Sequence, residues 1–211
     1  MPLGYLTTGQ RVGTQTEDNF RAGTAVNGSL NVPGGQLICS NIPVGSIALA
    51  SMGTNTTDVI QLWVTDILVP YNRIVTNIAM LSGGTATTDN WLAAIYDSYG
   101  RLLASTALAG QLVATANVWQ VQPLALVYPA SGRTSSAAGL AATTIALQGP
   151  QQYFVAVQGN GTAGGMLQTV PAPYQICAGV IAAGTFGTIP ATITVPTTFT
   201  AAKAPIVYLS A

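Results

Sequence analysis

Short runs of β-branched, aromatic and aliphatic residues, each cut off by glycine, proline or asparagine, follow one another from Gln36 to the end of the chain. They fall at 37–39, 47–50, 59–64, 67–69, 73–81, 91–96, 102–106, 118–121, 153–157, 166–170, 193–195 and 206–209. Runs of this length and composition, separated by turn residues, belong to antiparallel sheets. No amphipathic helical stretches alternate with them, which excludes a parallel sheet built from crossover helices. Only residues 137–147 have a helix-compatible composition, and Gly139, Thr143 and Thr144 oppose it. No segment repeats at the period of a solenoid or propeller. The expected fold is all-β, a jelly-roll-type antiparallel β-sandwich of about eight to ten strands.

The clearest local signal lies at residues 91–106, where two runs flank Asp97-Ser98-Tyr99-Gly100. Asp97 can accept hydrogen bonds from amides across the turn, and Gly100 can take the positive φ that returns the chain into its partner strand. A hairpin is expected there.

Ahead of the β-rich region, Gly4, Gly9, Gly13, Gly23, Gly28, Gly34 and Gly35 punctuate a stretch whose apolar residues are isolated. Such a segment buries too little surface to hold itself in place. We therefore divide the chain into residues 1–57, an extended N-terminal arm with the first short strands, and residues 58–211, the sandwich domain. Tyr5, Leu6, Phe20 and Leu30 are the apolar points by which the arm would anchor on a neighbouring subunit. Met-Pro-Leu-Gly-Tyr at the start has no basic stretch ahead of an apolar one, so the mature chain is expected to begin there.

Charge then narrows the function. Twelve residues of 211 are charged, six of each sign, and histidine is absent. Without a basic stripe to neutralise phosphates, nucleic-acid binding is not expected. No apolar run has the length of a membrane-spanning helix, so no membrane partner is expected either. Histidine is the usual proton-transfer group near neutral pH, and the aspartates Asp58, Asp66, Asp89 and Asp97 stand singly at strand ends and turns. A paired-carboxylate mechanism would need two of them, such as Asp66 and Asp97, to converge in space. The chain reads as non-enzymatic and without a cofactor.

The remaining candidates are modest. Cys39 and Cys177 read first as two small buried thiols and second as a disulfide joining the arm region to the core. Asp89 and Asn90 place oxygens together but lack calcium-loop spacing, and a turn is the better reading. The triplets at Asn27, Asn55 and Asn160 fit a glycosylation pattern and read as incidental loops. Trp63, Trp91 and Trp119 lie inside apolar runs and are expected in the core. Tyr71, Tyr99 and Tyr174 lie in loops, where they could contact a glycan.

Four stretches, ILVPYNRIVTNIAMLSGG, WLAAIYDSYGRLLASTALAG, NVWQVQPLALVYPASG and QQYFVAVQGNGTAGG, together resemble the jelly-roll modules of tailed-bacteriophage virion proteins. Decoration proteins, head fibres and tail-fibre heads share that architecture, as do several carbohydrate-binding sandwiches. The resemblance implies a virion structural protein on the capsid exterior, a homo-oligomer and most simply a homotrimer. Its partners would be the major capsid protein or other virion proteins. A host-glycan-binding adhesin module and a minor tail or collar protein are the alternatives. The resemblance transfers no residue role.

Overall fold

The structure, a computed structural model, describes residues 31–42, 53–55, 60–86, 88–129, 139–161, 167–169, 176–200 and 203–211. Among these the chain forms β1 (Asn31–Val32), β2 (Gly35–Ser40), β3 (Gly53–Asn55), β4 (Gln61–Val69), β5 (Arg73–Val75), β6 (Asn77–Leu81), β7 (Asn90–Tyr96) and β8 (Leu102–Thr106). It continues with β9 (Gln111–Leu112), β10 (Trp119–Val127), β11 (Leu140–Ala141), β12 (Ile145–Leu147), β13 (Gln151–Gly159), β14 (Leu167–Thr169), β15 (Ala178–Ala182) and β16 (Val207–Ser210). The fold is all-β and sandwich-like. Every strand pairing among the described residues is antiparallel.

The main strand path runs β1-β2-β16-β6-β10-β8-β7-β13-β4-β15, with β11 beside β10 and β9 beside β7. Strand β10 divides this path into two layers. Trp119–Pro123 pairs with β6, whereas Leu124–Val127 pairs with β8, with a register shift between Leu124 and Leu126. Pro123 sits at the change of partner, where its missing N–H costs the ladder least. A strand that bends and changes sheets is a corner of a sandwich.

Alternation along the strands sorts side chains between the layers. Trp63 and Ile67 of β4, Trp91 and Ile95 of β7, and Val155 and Val157 of β13 face Ile38, Cys39, Ile78, Met80, Val207 and Leu209 of the other layer. The intervening Leu62, Val64, Leu92, Tyr96, Phe154 and Ala156 face outward, yet they too are buried. Their cover is Ala183, Phe186, Ile189, Ile193 and Val195, from a segment with little regular structure. Burial on both faces explains why these strands read as unbroken apolar runs. On the other layer Leu37, Ala79 and Tyr208 are covered by Val32, Trp119 and Val121, with the Trp119 and Tyr208 rings 4.6 Å apart.

Residues 137–147 hold no helix where they are described, in line with the opposition of Gly139, Thr143 and Thr144: β11 and β12 run there, pairing with β10 and β5. Other expectations change. Residues 193–195 form no strand, because Pro190 and Pro196 bracket a segment that lies over a sheet face and makes only an isolated bridge, Arg101 to Thr192. The run at 73–81 breaks at Thr76, whose N–H donates to Ser210 O at 2.9 Å while its carbonyl accepts from Leu124 N at 2.8 Å. Sixteen described strands exceed the eight to ten expected because many are two or three residues long. Residues 31–42 share the sheet and core of the sandwich, with Leu37 and Cys39 fully buried. Tyr5, Leu6, Phe20 and Leu30 lie outside the described residues.

Candidate binding surface

Two loops leave the second layer at one end. Val69 at the end of β4 pairs with Gln151, and Tyr96 at the end of β7 pairs with Phe154, so both strands finish beside the start of β13. Pro70 stops β4 and the chain turns through Tyr71, Asn72 and Arg73. Beyond Tyr96 it turns through Asp97, Ser98, Tyr99, Gly100 and Arg101. Each turn spells Tyr-x-Arg, and each arginine lies over its tyrosine: 5.3 Å from Arg73 Cζ to the Tyr71 ring centre and 5.1 Å from Arg101 to Tyr99. These are cation–π distances. Tyr99 is 77% exposed and Tyr71 39%.

Asp97 builds the second loop. Its Oδ1 accepts from Tyr99 N at 3.0 Å and Arg101 N at 2.9 Å, while Oδ2 accepts from Arg101 Nε at 2.7 Å. The carboxylate is buried, whereas the arginine is half exposed. Gly100 closes the turn at φ 76°, and a Cβ there would stand 2.2 Å from Ile193 O. That closeness lets Gly100 O accept from Ile193 N at 2.8 Å, which ties the hairpin to the covering segment. The expected hairpin and the parts given to Asp97 and Gly100 are all present.

The first loop is held differently. Asn72 Oδ1 accepts from Gly149 N at 3.0 Å, and a Cβ on Gly149 would stand 2.4 Å from Tyr71 N. The neighbouring turn is latched by Tyr153, whose hydroxyl accepts from Gln148 N at 3.0 Å and donates to Gln148 O at 2.9 Å. Burial pushes the Tyr153 phenol above its ordinary range. Among the described residues no carboxylate lies within ion-pair distance of Arg73. Among the described residues this end therefore carries one guanidinium paired with a carboxylate and one without, each on an exposed aromatic ring. Such surfaces stack flat ligands or sugar rings and donate hydrogen bonds from the guanidinium edge.

Asp66 does not join Asp97. Its Oδ1 accepts from Cys177 N at 3.2 Å and its Oδ2 from Gln152 Nε2 at 3.1 Å. Burial raises its pKa, with those hydrogen bonds pulling the other way. Asn90 serves the turns: its N–H donates to Asn160 Oδ1 at 2.7 Å and its side chain to Ala109 O at 3.2 Å. No group of three His, Cys, Asp or Glu among the described residues is placed to hold a metal. Cys39 and Cys177 are unbonded and buried, as the first reading had it. Trp63 and Trp91 are core residues, while Trp119 is only partly buried. Tyr174 lies outside the described residues; Tyr71 and Tyr99 are brought to one end.

The arginine partners were missed from sequence, although the signal was there. Tyr71-x-Arg73 and Tyr99-x-Arg101 repeat one spacing, and in both the guanidinium folds back over its tyrosine across a turn.

No family model matches the chain, and neither a curated protein nor a solved structure matches it.

Proposed function

We propose that this chain is a non-enzymatic structural component of a phage virion, a capsid-decoration or head-fibre-like protein whose jelly-roll sandwich works by contact between subunits. The observation that carries the reading is the character of the surface. Ile60, Ile74, Leu112, Leu140 and Phe199 are 45–64% exposed on five separate segments. Only three acids and three cations accompany them among the described residues. Apolar groups spread over a nearly uncharged surface are stabilised when neighbours cover them. The partners would be the major capsid protein or other virion proteins, with copies of this chain joined as a homotrimer. Tyr5, Leu6, Phe20 and Leu30 would anchor the arm. Light scattering of the purified chain, with immunogold labelling of particles from its source, tests the proposal. Multimers in solution and label on the shell exterior are expected; a monomer absent from particles overturns it.

The paired Tyr-x-Arg loops favour a second reading, a host-glycan-binding module on a fibre. Tyr71 and Tyr99 would stack sugar rings and the two arginines would hold hydroxyl or carboxylate groups. Reproducible signal on a glycan array that disappears in Tyr99→Ala supports it; a blank array removes it.

A further inference from the structure

Strand β15 ends the main strand path, and its far side is an edge. Three hydrogen bonds show which of its backbone groups look outward. Cys177 O accepts from Asp66 N at 2.9 Å and Ala183 N donates to Ile60 O at 2.6 Å, so the odd-numbered residues turn toward β4. Ala178 N donates the other way, to Thr198 O at 3.1 Å. By alternation the N–H and C=O of Val180 and Ala182 also point away from β4, and no described residue pairs with them.

The segment that closes the edge at Ala178 stands off farther along. It leaves a cavity of about 300 Å³ lined by Gly179, Val180, Pro196, Thr198, Thr200 and Lys203 among others. An edge that is zipped at one end and open at the next two rungs takes an extended chain, since a strand supplies the matching donors and acceptors. Lys203 adds a preference, because no carboxylate among the described residues lies within ion-pair distance of it.

We propose that β15 is completed by residues 14–20 of a neighbouring copy, laid beside Val180 and Ala182 with Glu17 or Asp18 against Lys203. Three features of the chain select that segment. Glu17 and Asp18 are its one pair of adjacent acids. They sit in the longest glycine-free stretch of the first thirty residues, between Gly13 and Gly23. From Asp18 to Asn31, where the described chain begins, is 31 − 18 = 13 residues. Extended at roughly 3.3–3.6 Å per residue they reach about 45 Å. A domain of this size has a radius of gyration of about 16 Å, so the segment reaches across to a second copy. The inference rests on the assembly reading in one respect, that copies meet.

Amide hydrogen exchange on the full chain, at high and low protein concentration, tests it. At high concentration the Val180 and Ala182 amides should exchange at least ~10-fold more slowly than at low concentration, the size of a modest local stabilisation. The double change Glu17→Lys with Asp18→Lys, and separately Lys203→Glu, should abolish that protection while the Ile95 and Ala79 amides stay protected, which shows the fold intact. Combining all three changes should restore part of it. Free exchange under every condition, protection independent of concentration, or protection untouched by the arm variants overturns the proposal. Light scattering on the same samples separates the two failures. Oligomers with freely exchanging edge amides sink the strand donation alone, and monomers throughout sink the assembly reading as well.

Discussion

The two Tyr-x-Arg loops carry the same stacked pair at the same end of the sandwich, but they are built from opposite materials. The 97–101 loop folds around a buried carboxylate that takes three hydrogen bonds and cancels its own arginine. The 71–73 loop has no charge at its centre; a neutral amide and the bare Cα of Gly149 hold it against the next turn. One loop is specified by electrostatics within five consecutive residues, the other by shape between segments far apart in sequence. A shared surface motif can thus rest on independent supports, and perturbing them should separate the two.

The largest separation is expected from the polar anchors. Asp97→Ala removes three hydrogen bonds to a carboxylate and should cost about 2–4 kcal/mol in urea unfolding, whereas Asn72→Ala should cost about 1 kcal/mol. Equal losses would erase the distinction. Next come the glycines. Gly100→Ala combines a positive φ with a clash on Ile193 O, and Gly149→Ala a clash on the Tyr71 backbone. Each should cost about 1–3 kcal/mol, but only Gly149→Ala should alter Tyr71 fluorescence or its NMR shifts.

Asp66, on β4 ahead of the 71–73 loop, offers a pH test. Its folded pKa is raised above the unfolded value, so the folded state holds its proton more tightly. Its contribution to stability is therefore greatest below the unfolded pKa and falls as pH climbs from there through the folded pKa. Asp66→Asn should flatten that fall, in unfolding curves taken across the acidic range. An unchanged slope would show that other groups produce it. The smallest effects belong to the tips. Tyr99→Ala and Tyr71→Ala should each change stability by less than about 1 kcal/mol, with the exposed Tyr99 the lesser. A large loss at Tyr99 would mean that the stack supports the hairpin rather than decorating it.

Sequence reading worked where the cause was local or where burial was total. Asp97 announces the hairpin because the bonds of its carboxylate close within four residues, and Gly100 because the turn demands a positive φ. The runs in β4, β7 and β13 announce strands because both of their faces are apolar. Reading failed where a partner decided the outcome. Residues 193–195 have strand composition but lie over a sheet face, so their side chains pack while their backbone finds no ladder. Residues 140–147 extend only because β10 and β5 offer edges. That Leu209 pairs with Cys39 across the length of the chain is a matter of long-range register, which local composition does not encode. The stacked arginines were legible in spacing, and the open rungs of β15 were not, since an edge exists only once a sheet has an order.

The bare segment that roofs the second layer has a consequence for synthesis. A ribosome that has already delivered β4, β7 and β13 has still to make residues 183–195, so Leu62, Val64 and Phe154 wait uncovered until those residues emerge. Chains released early would display a broad greasy sheet, and aggregation of truncated products is the outcome to look for.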